Sequence, residues 1–186
     1  MMPSAQVLAF LLVSLFHANV PASAGAVNAT ITEFASQSYL NGNPKLSISQ
    51  RKDIECYAKV IWFEARGESK HGKILVANVV RNRIKFGKPF ANTVCDVVYQ
   101  RNQFAWTREA KKKNAKWKNI VKTNWKTESK QVWDTMNVAI NFALLDAPDV
   151  TDATHFCTAT EKCNFKRVVG RGTYGGHKFY KYLGNK

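Results

Sequence analysis

Glu64 and Glu68, in the run Glu64-Ala65-Arg66-Gly67-Glu68, are the residues whose placement invites chemistry. Upstream of them Ile54, Tyr57, Ala58, Ile61, Trp62 and Ala65 fall at the steps of one face of a 3.6-residue helix. Rotation by about 100° per residue puts Glu64 at the margin of that apolar face, on the side of Tyr57 and Ile61, where it is half desolvated. Desolvation favours the neutral carboxylic acid, the form that protonates a leaving-group oxygen, which makes Glu64 a candidate general acid. The competing interpretation is a surface glutamate at a helix end, paired with Arg66. Spacing by itself does not choose between them.

The helix carrying Glu64 has its own start and stop signals. Ser47 and Gln50 have capping-box spacing, Asp53 suits the positive end of the helix dipole, and Gly67 is a natural stop. A second core helix follows over Ile74 to Ile84, with Leu75, Val76 and Val79 widening its stripe. Arg81 and Arg83 flank it, either steadying Glu64 or Glu68 or, more ordinarily, solvated on the outer face. Gly87, Pro89 and Asn92 break this helix, and the stretch Thr93 to Gln100 reads as a short helix or a strand. A third long stripe runs from Val132 through Met136, Ala139, Ile140, Ala143 and Leu144 to Ala147, ended by Pro148. Beyond it the sequence turns short, aromatic and β-branched, which predicts a small β-region with a hairpin around Gly170 to Gly176. Helices around a small sheet make an α+β class.

Two further stretches carry binding chemistry. Gln103, Phe104 and Trp106 set aromatic rings beside amides, the pairing with which a carbohydrate groove stacks on sugar faces and reads hydroxyls, although Phe104 also suits the core. Residues 108–130 hold nine Lys or Arg against two Glu, with Trp117, Ile120, Val121 and Trp125 at helical spacing. That pattern fits a solvated helix packed by its tryptophans, a patch for an anionic wall or outer-membrane polymer, or a membrane-surface helix. A net charge of +15 favours an anionic partner of some kind; with no nucleic-acid motif present, nucleic acid is not expected.

At the other end, the first 24 residues contain no Lys, Arg, Asp or Glu. The apolar run Val7 to Phe16 is too short to span a bilayer, which takes about 20 residues. With the small residues Ala22-Ser23-Ala24, the pattern is that of a secretory signal peptide cleaved near Ala24. An N-region without Lys or Arg departs from it. Residues 25–46 read as a flexible linker and 47–186 as the functional domain. In an exported chain the four cysteines predict disulfides. Cys56 with Cys95 and Cys157 with Cys163 is the preferred pairing, because the last two flank a short loop. The rival use of His155, Cys157, Cys163 and His177 is a zinc site. No Ser-His-Asp order, phosphate loop or H-E-x-x-H appears, which argues against nucleophilic hydrolases, nucleotide enzymes and zincins.

Taken in order, EARGE, ILVANVVRNRI, NTVCDVVYQRNQF, DATHF and GGHKFY resemble the spore-cortex-lytic type of cell wall hydrolase, from about Asp53 to Tyr182. Residues between Thr107 and Gln131 have no counterpart in that pattern. The resemblance implies a lysozyme-like fold, a peptidoglycan substrate, no cofactor, and Glu64 as catalytic acid. It puts Gln103 in the sugar groove, leaving Phe104 suited to the core and Trp106 open between groove and core as substrate-binding candidates, and gives His155, His177 and Tyr180 cleft-wall or packing roles. Cleavage of a glycosidic bond by a hydrolase would need a second carboxylate, for which Glu68 and Asp96 are candidates. A lytic transglycosylase needs none, since the muramic acid C6 hydroxyl attacks and Glu64 returns as base; Glu68 then orients substrate or shapes the motif. The resemblance favours this route, acting as a monomer on glycan strands in the periplasm, wall or extracellular space. The alternatives are a muramidase, a zinc amidase, or a basic protein that coats anionic polymer without turnover.

Overall fold

The computed structural model describes residues 36, 38–39, 41–42 and 45–184. The expected signal peptide lies outside them, as does most of the 25–46 linker, though within the latter Ser36 is buried and Tyr39 packs against the core.

Helix α1 (Ile48–Ala65) is the centre of the fold. Its start follows the sequence pattern: the Gln50 N–H donates to Ser47 Oγ at 3.1 Å, and the Ser47 N–H donates to Gln50 Oε1 at 2.9 Å. Asp53, however, lies beyond the first turn, which holds no acidic residue, and so too far along for the dipole role expected of it. All six residues of the apolar stripe are buried, and Cys56, Lys59 and Val60 are buried with them. The helix is therefore enclosed nearly all round, against α2 (Lys70–Phe86), α3 (Val94–Tyr99) and α5 (Trp117–Leu144). The Thr93–Gln100 stretch is thus helical, capped by Thr93 through the Asp96 N–H. A 3₁₀ turn (Ala105–Arg108) and the short α4 (Ala110–Asn114) lead into α5.

Helix α5 joins two segments that the sequence presents separately. The basic run and the third apolar stripe form one bent helix, with non-helical φ/ψ at Glu128 marking the bend. Trp117 and Ile120 bury against α1 while Trp125 stays 43% exposed, so one tryptophan packs and the other does not. The helix ends at Leu144, short of Pro148, and Ala147 is buried just outside it; proline is not the terminator.

The sheet is antiparallel, in the order β1 (His155–Thr158), β3 (His177–Tyr182), β2 (Val168–Tyr174). The β2–β3 hairpin turns at Gly175-Gly176, and the register slips between Gly170 and Gly172. Phe179 and Phe156 dock the sheet on Leu75, Val79 and Ala153. The strap into β1 is fastened by buried polar groups of α2. Asn78 Oδ1 accepts the Val150 and Thr151 N–H groups, and Asn82 Nδ2 donates to the Thr151 and Ala153 carbonyls. Arg83 Nε donates to the Thr154 carbonyl at 2.7 Å. A mainly helical α+β domain with its small sheet at the C-terminal end results. Both disulfides join the expected partners, Cys56 with Cys95 and Cys157 with Cys163. Among the described residues no helix is long and apolar enough to cross a membrane.

Candidate active site

The turn between α1 and α2 carries Glu64 on its first side and Glu68 on its second, and a lysine holds it in shape. Lys73 is fully buried, and its ammonium donates to the carbonyls of Arg66 at 3.1 Å and Glu68 at 2.6 Å and to Gln131 Oε1 at 2.5 Å. Burial pulls its pKa down, as a desolvated cation requires, but all three ammonium protons have acceptors. Arg66 swings away from Glu64, pairing with Glu128 at 3.4 Å and lying over the Trp62 ring. This removes the Glu64–Arg66 surface pair that the sequence allowed.

Glu64 is largely enclosed, and burial pushes its carboxyl up to about 7. The Arg83 guanidinium and the Trp106 indole N–H pull the other way. That N–H is buried without an acceptor in good hydrogen-bond geometry, so its hold on Glu64 is weak. Arg83 is 3% exposed, not solvated, and lies against the Phe90 and Phe104 rings. Its own pKa falls to about 10 through burial, opposed by Glu64. An acid balanced near neutrality beside a buried cation can give up a proton and take one back.

Glu68 has different surroundings. The Gly176 N–H donates to its Oε1 at 3.1 Å, and His177 Nδ1 stands 3.7 Å from the same oxygen. The hairpin tip closes on this carboxylate so tightly that a Cβ at Gly175 would collide with it, and one at Gly176 would come within 2.8 Å. Asp96, the other sequence candidate for a second carboxylate, accepts from the Thr93 hydroxyl at 2.7 Å in the cap of α3.

Against known proteins, a family model described as Cell Wall Hydrolase matches residues 67–180, more than half of the chain. The chain belongs to the Cell Wall Hydrolase family. No curated protein and no solved structure matches it. The family match begins at Gly67, so it takes in Glu68 and the hairpin but stops short of Glu64.

Around these two glutamates the hydrolase fold gathers some of the expected site residues and sequesters others. Phe104 and Trp106 are 3% and 4% exposed, so neither offers a ring face to a sugar; Trp106 lies beside Glu64, and Phe104 lies under Arg83. Trp106 packs on Phe63 and Tyr99, and Phe104 on Phe156, which meets His177 edge-on at 5.2 Å. Phe104 and Phe156 thus lead from Arg83 to His177 beside Glu68. Gln103 is half-buried in the loop before Phe104. His155 sits among Phe90, Phe165 and Tyr182, where burial and then Arg83 lower its pKa to about 4 and keep it neutral. Tyr180 pairs with His155 across β1–β3 and packs on Phe165, on the face opposite Phe179. His177 is buried, its pKa lowered by burial against the pull of Glu68. With Cys157 and Cys163 joined to each other, the four-residue zinc set does not stand. The sequence pattern marks the hairpin, but not Lys73, Asn78 or Asn82, nor the closure of the Gly175-Gly176 tip on Glu68. Polar residues at apolar helix positions, such as Lys73 one turn before Val76 and Ala77, were the available signal.

Proposed function

We propose that the chain cleaves the β-1,4 bond between N-acetylmuramic acid and N-acetylglucosamine in peptidoglycan as a lytic transglycosylase, with Glu64 as both acid and base. One observation carries this reading: burial brings Glu64 to about 7. A group poised near ambient pH serves either proton transfer well. In the first step the Glu64 carboxylic acid protonates the glycosidic oxygen as the muramic C1–O bond breaks. The C6 hydroxyl oxygen of the same muramic acid then bonds to C1, and the Glu64 carboxylate takes its proton. Glu64 ends as it began, no water is consumed, and the product carries a 1,6-anhydro ring. Arg83 stabilises the carboxylate between the two transfers.

Among the described residues, neither candidate second carboxylate is free to act beside Glu64, which supports this route over a muramidase. The charge acting on Glu64 is that of Arg83, while Glu68 is committed to the hairpin and Asp96 to a helix cap. The working form is taken to be an exported monomer acting on glycan strands.

The test is mass spectrometry of soluble fragments released from purified peptidoglycan by the protein and by Glu64→Gln. Anhydro-muramyl ends from the first and none from the second are expected. Reducing ends would replace this reading with a hydrolase using Glu68 or Asp96. Sedimentation with the wall, without release, would make the protein a binder.

A further inference from the structure

A second feature lies near the Trp106 indole beside Glu64. Tyr99, Arg101, Asn102, Thr107, Arg108 and Lys113 line a surface pocket of about 340 Å³. Three of the six are cations and none is an acid. Among the described residues, Arg101, Arg108 and Lys113 have no carboxylate partner, and the nearby Glu109 is taken by Lys112 at 2.8 Å. Unpaired cations that converge on a concavity make a site for an anion.

The walls are built rather than loose. Lys59, 3% exposed, donates from Nζ to the Lys113 carbonyl at 2.6 Å and lies near the Tyr99 and Trp106 rings. The Thr107 hydroxyl donates to the Phe104 carbonyl at 2.7 Å. Tyr99 meets Trp106 edge-on at 5.9 Å, and Trp106 is the residue whose indole N–H faces Glu64. One indole therefore links the pocket to the candidate acid.

We infer that this pocket receives a carboxylate of the stem peptide borne by muramic acid, so that peptide-bearing strands are preferred over bare glycan. The inference rests on the glycan-cleaving reading, since it is the link to Glu64 that points to the substrate's own anion. The volume lies at the lower end for small-ligand sites and suits one anionic group better than the repeating phosphates of a polymer.

Binding tests this without requiring turnover. The full chain carrying Glu64→Gln is titrated with a soluble disaccharide–tetrapeptide, with the same compound after its carboxylates are amidated, and with the peptide-free disaccharide. The free acid is expected to bind at least about tenfold tighter than the amide, as charge-assisted contacts would give. Adding Arg101→Ala, Arg108→Ala and Lys113→Ala should abolish that difference while leaving affinity for the peptide-free disaccharide unchanged, which also reports an intact fold. Arg101→Glu alone should reverse the preference. Removing the same charge elsewhere, through Lys45→Ala, Lys162→Ala and Lys166→Ala, should preserve it. Equal binding of acid and amide overturns the inference, as does equal loss in the elsewhere variant, which would mean bulk charge. Displacement by a phosphate-linked wall polymer with no acid preference would assign the pocket to that polymer instead. A clear acid preference in a protein that releases no glycan would retain the pocket and discard the cleavage reading.

Discussion

Glu64 and Glu68 stand on the two sides of one helix–helix turn and have opposite surroundings. Glu64 ends up largely enclosed, beside the Trp106 indole and a buried guanidinium, with no good hydrogen bond to its carboxyl. Glu68 accepts a backbone N–H from the hairpin tip and has an imidazole within reach. Desolvation without compensating hydrogen bonds favours a proton on the first; the second is tied to the hairpin by a donated N–H. On the proposed reading, two copies of the same side chain in one short motif are divided between chemistry and architecture.

The largest expected effect separates the two by activity. Glu64→Gln should lower turnover on peptidoglycan by about 10²- to 10⁴-fold, the usual contribution of general acid–base catalysis. Glu68→Gln retains an oxygen to accept from Gly176 and should keep turnover within about tenfold of the parent. Equal losses would show that Glu68 shares the chemistry and would favour a two-carboxylate hydrolase.

Stability should move the other way at Glu64. A folded-state pKa of about 7 against 4.5 means the folded protein holds this proton more tightly than the unfolded chain. The group costs nothing below pH 4.5, becomes destabilising as pH rises towards 7, and levels off above. At about 1.4 kcal/mol per pH unit, the full penalty is about 3 kcal/mol. Denaturant unfolding of Glu64→Gln should show a gain of that order at pH 8 and almost none at pH 4. A gain independent of pH would mean that the carboxyl is not held neutral by burial.

How far the comparison was legible in the sequence depends on which contacts are local. The apolar stripe of α1, its capping box and the Cys157–Cys163 pairing follow from neighbours along the chain, Cys56 with Cys95 being the pair then left over, and the candidate acid Glu64 was visible at the margin of that stripe. The aromatic pair after Gln103 was visible too, but whether a ring faces sugar or core depends on what packs over it; Phe104 and Trp106 are covered. Arg83 reads like any helix-flanking arginine until the strap at Thr154 and the rings of Phe90 and Phe104 close around it. Glu68 meets its partner more than a hundred residues away, at Gly176. No local pattern forecasts that contact; the glycine-rich stretch marks a hairpin but not what it closes on.

The Glu68 half can be loosened by a smaller perturbation. Gly175 has φ +53°, where a side chain is strained, and a Cβ there must displace the Glu68 carboxylate. Gly175→Ala should cost about 1–3 kcal/mol, from left-handed strain together with the lost hydrogen bond. In a Glu68→Ala background the hydrogen-bond part is already gone, so the same substitution should cost less. Additive losses in this double-mutant cycle would mean that the hairpin tip and Glu68 are not coupled.

The finest test concerns the charge that faces Glu64. Arg83 favours its ionised form and so holds its pKa below the level that burial alone would set. Removing the charge with Arg83→Gln should raise the Glu64 pKa further, by on the order of one pH unit for a close cation. The acid form then persists to higher pH, and the alkaline limb of kcat/KM, which reports the free enzyme, moves up by that amount. Arg83→Lys keeps a charge but loses the fork that bonds the Thr154 carbonyl, so its limb should stay near the parent's while its stability falls. A limb that moves up equally in both variants would implicate the strap geometry rather than the charge. A limb unmoved in Arg83→Gln would leave burial as the sole cause of the contrast between the two glutamates.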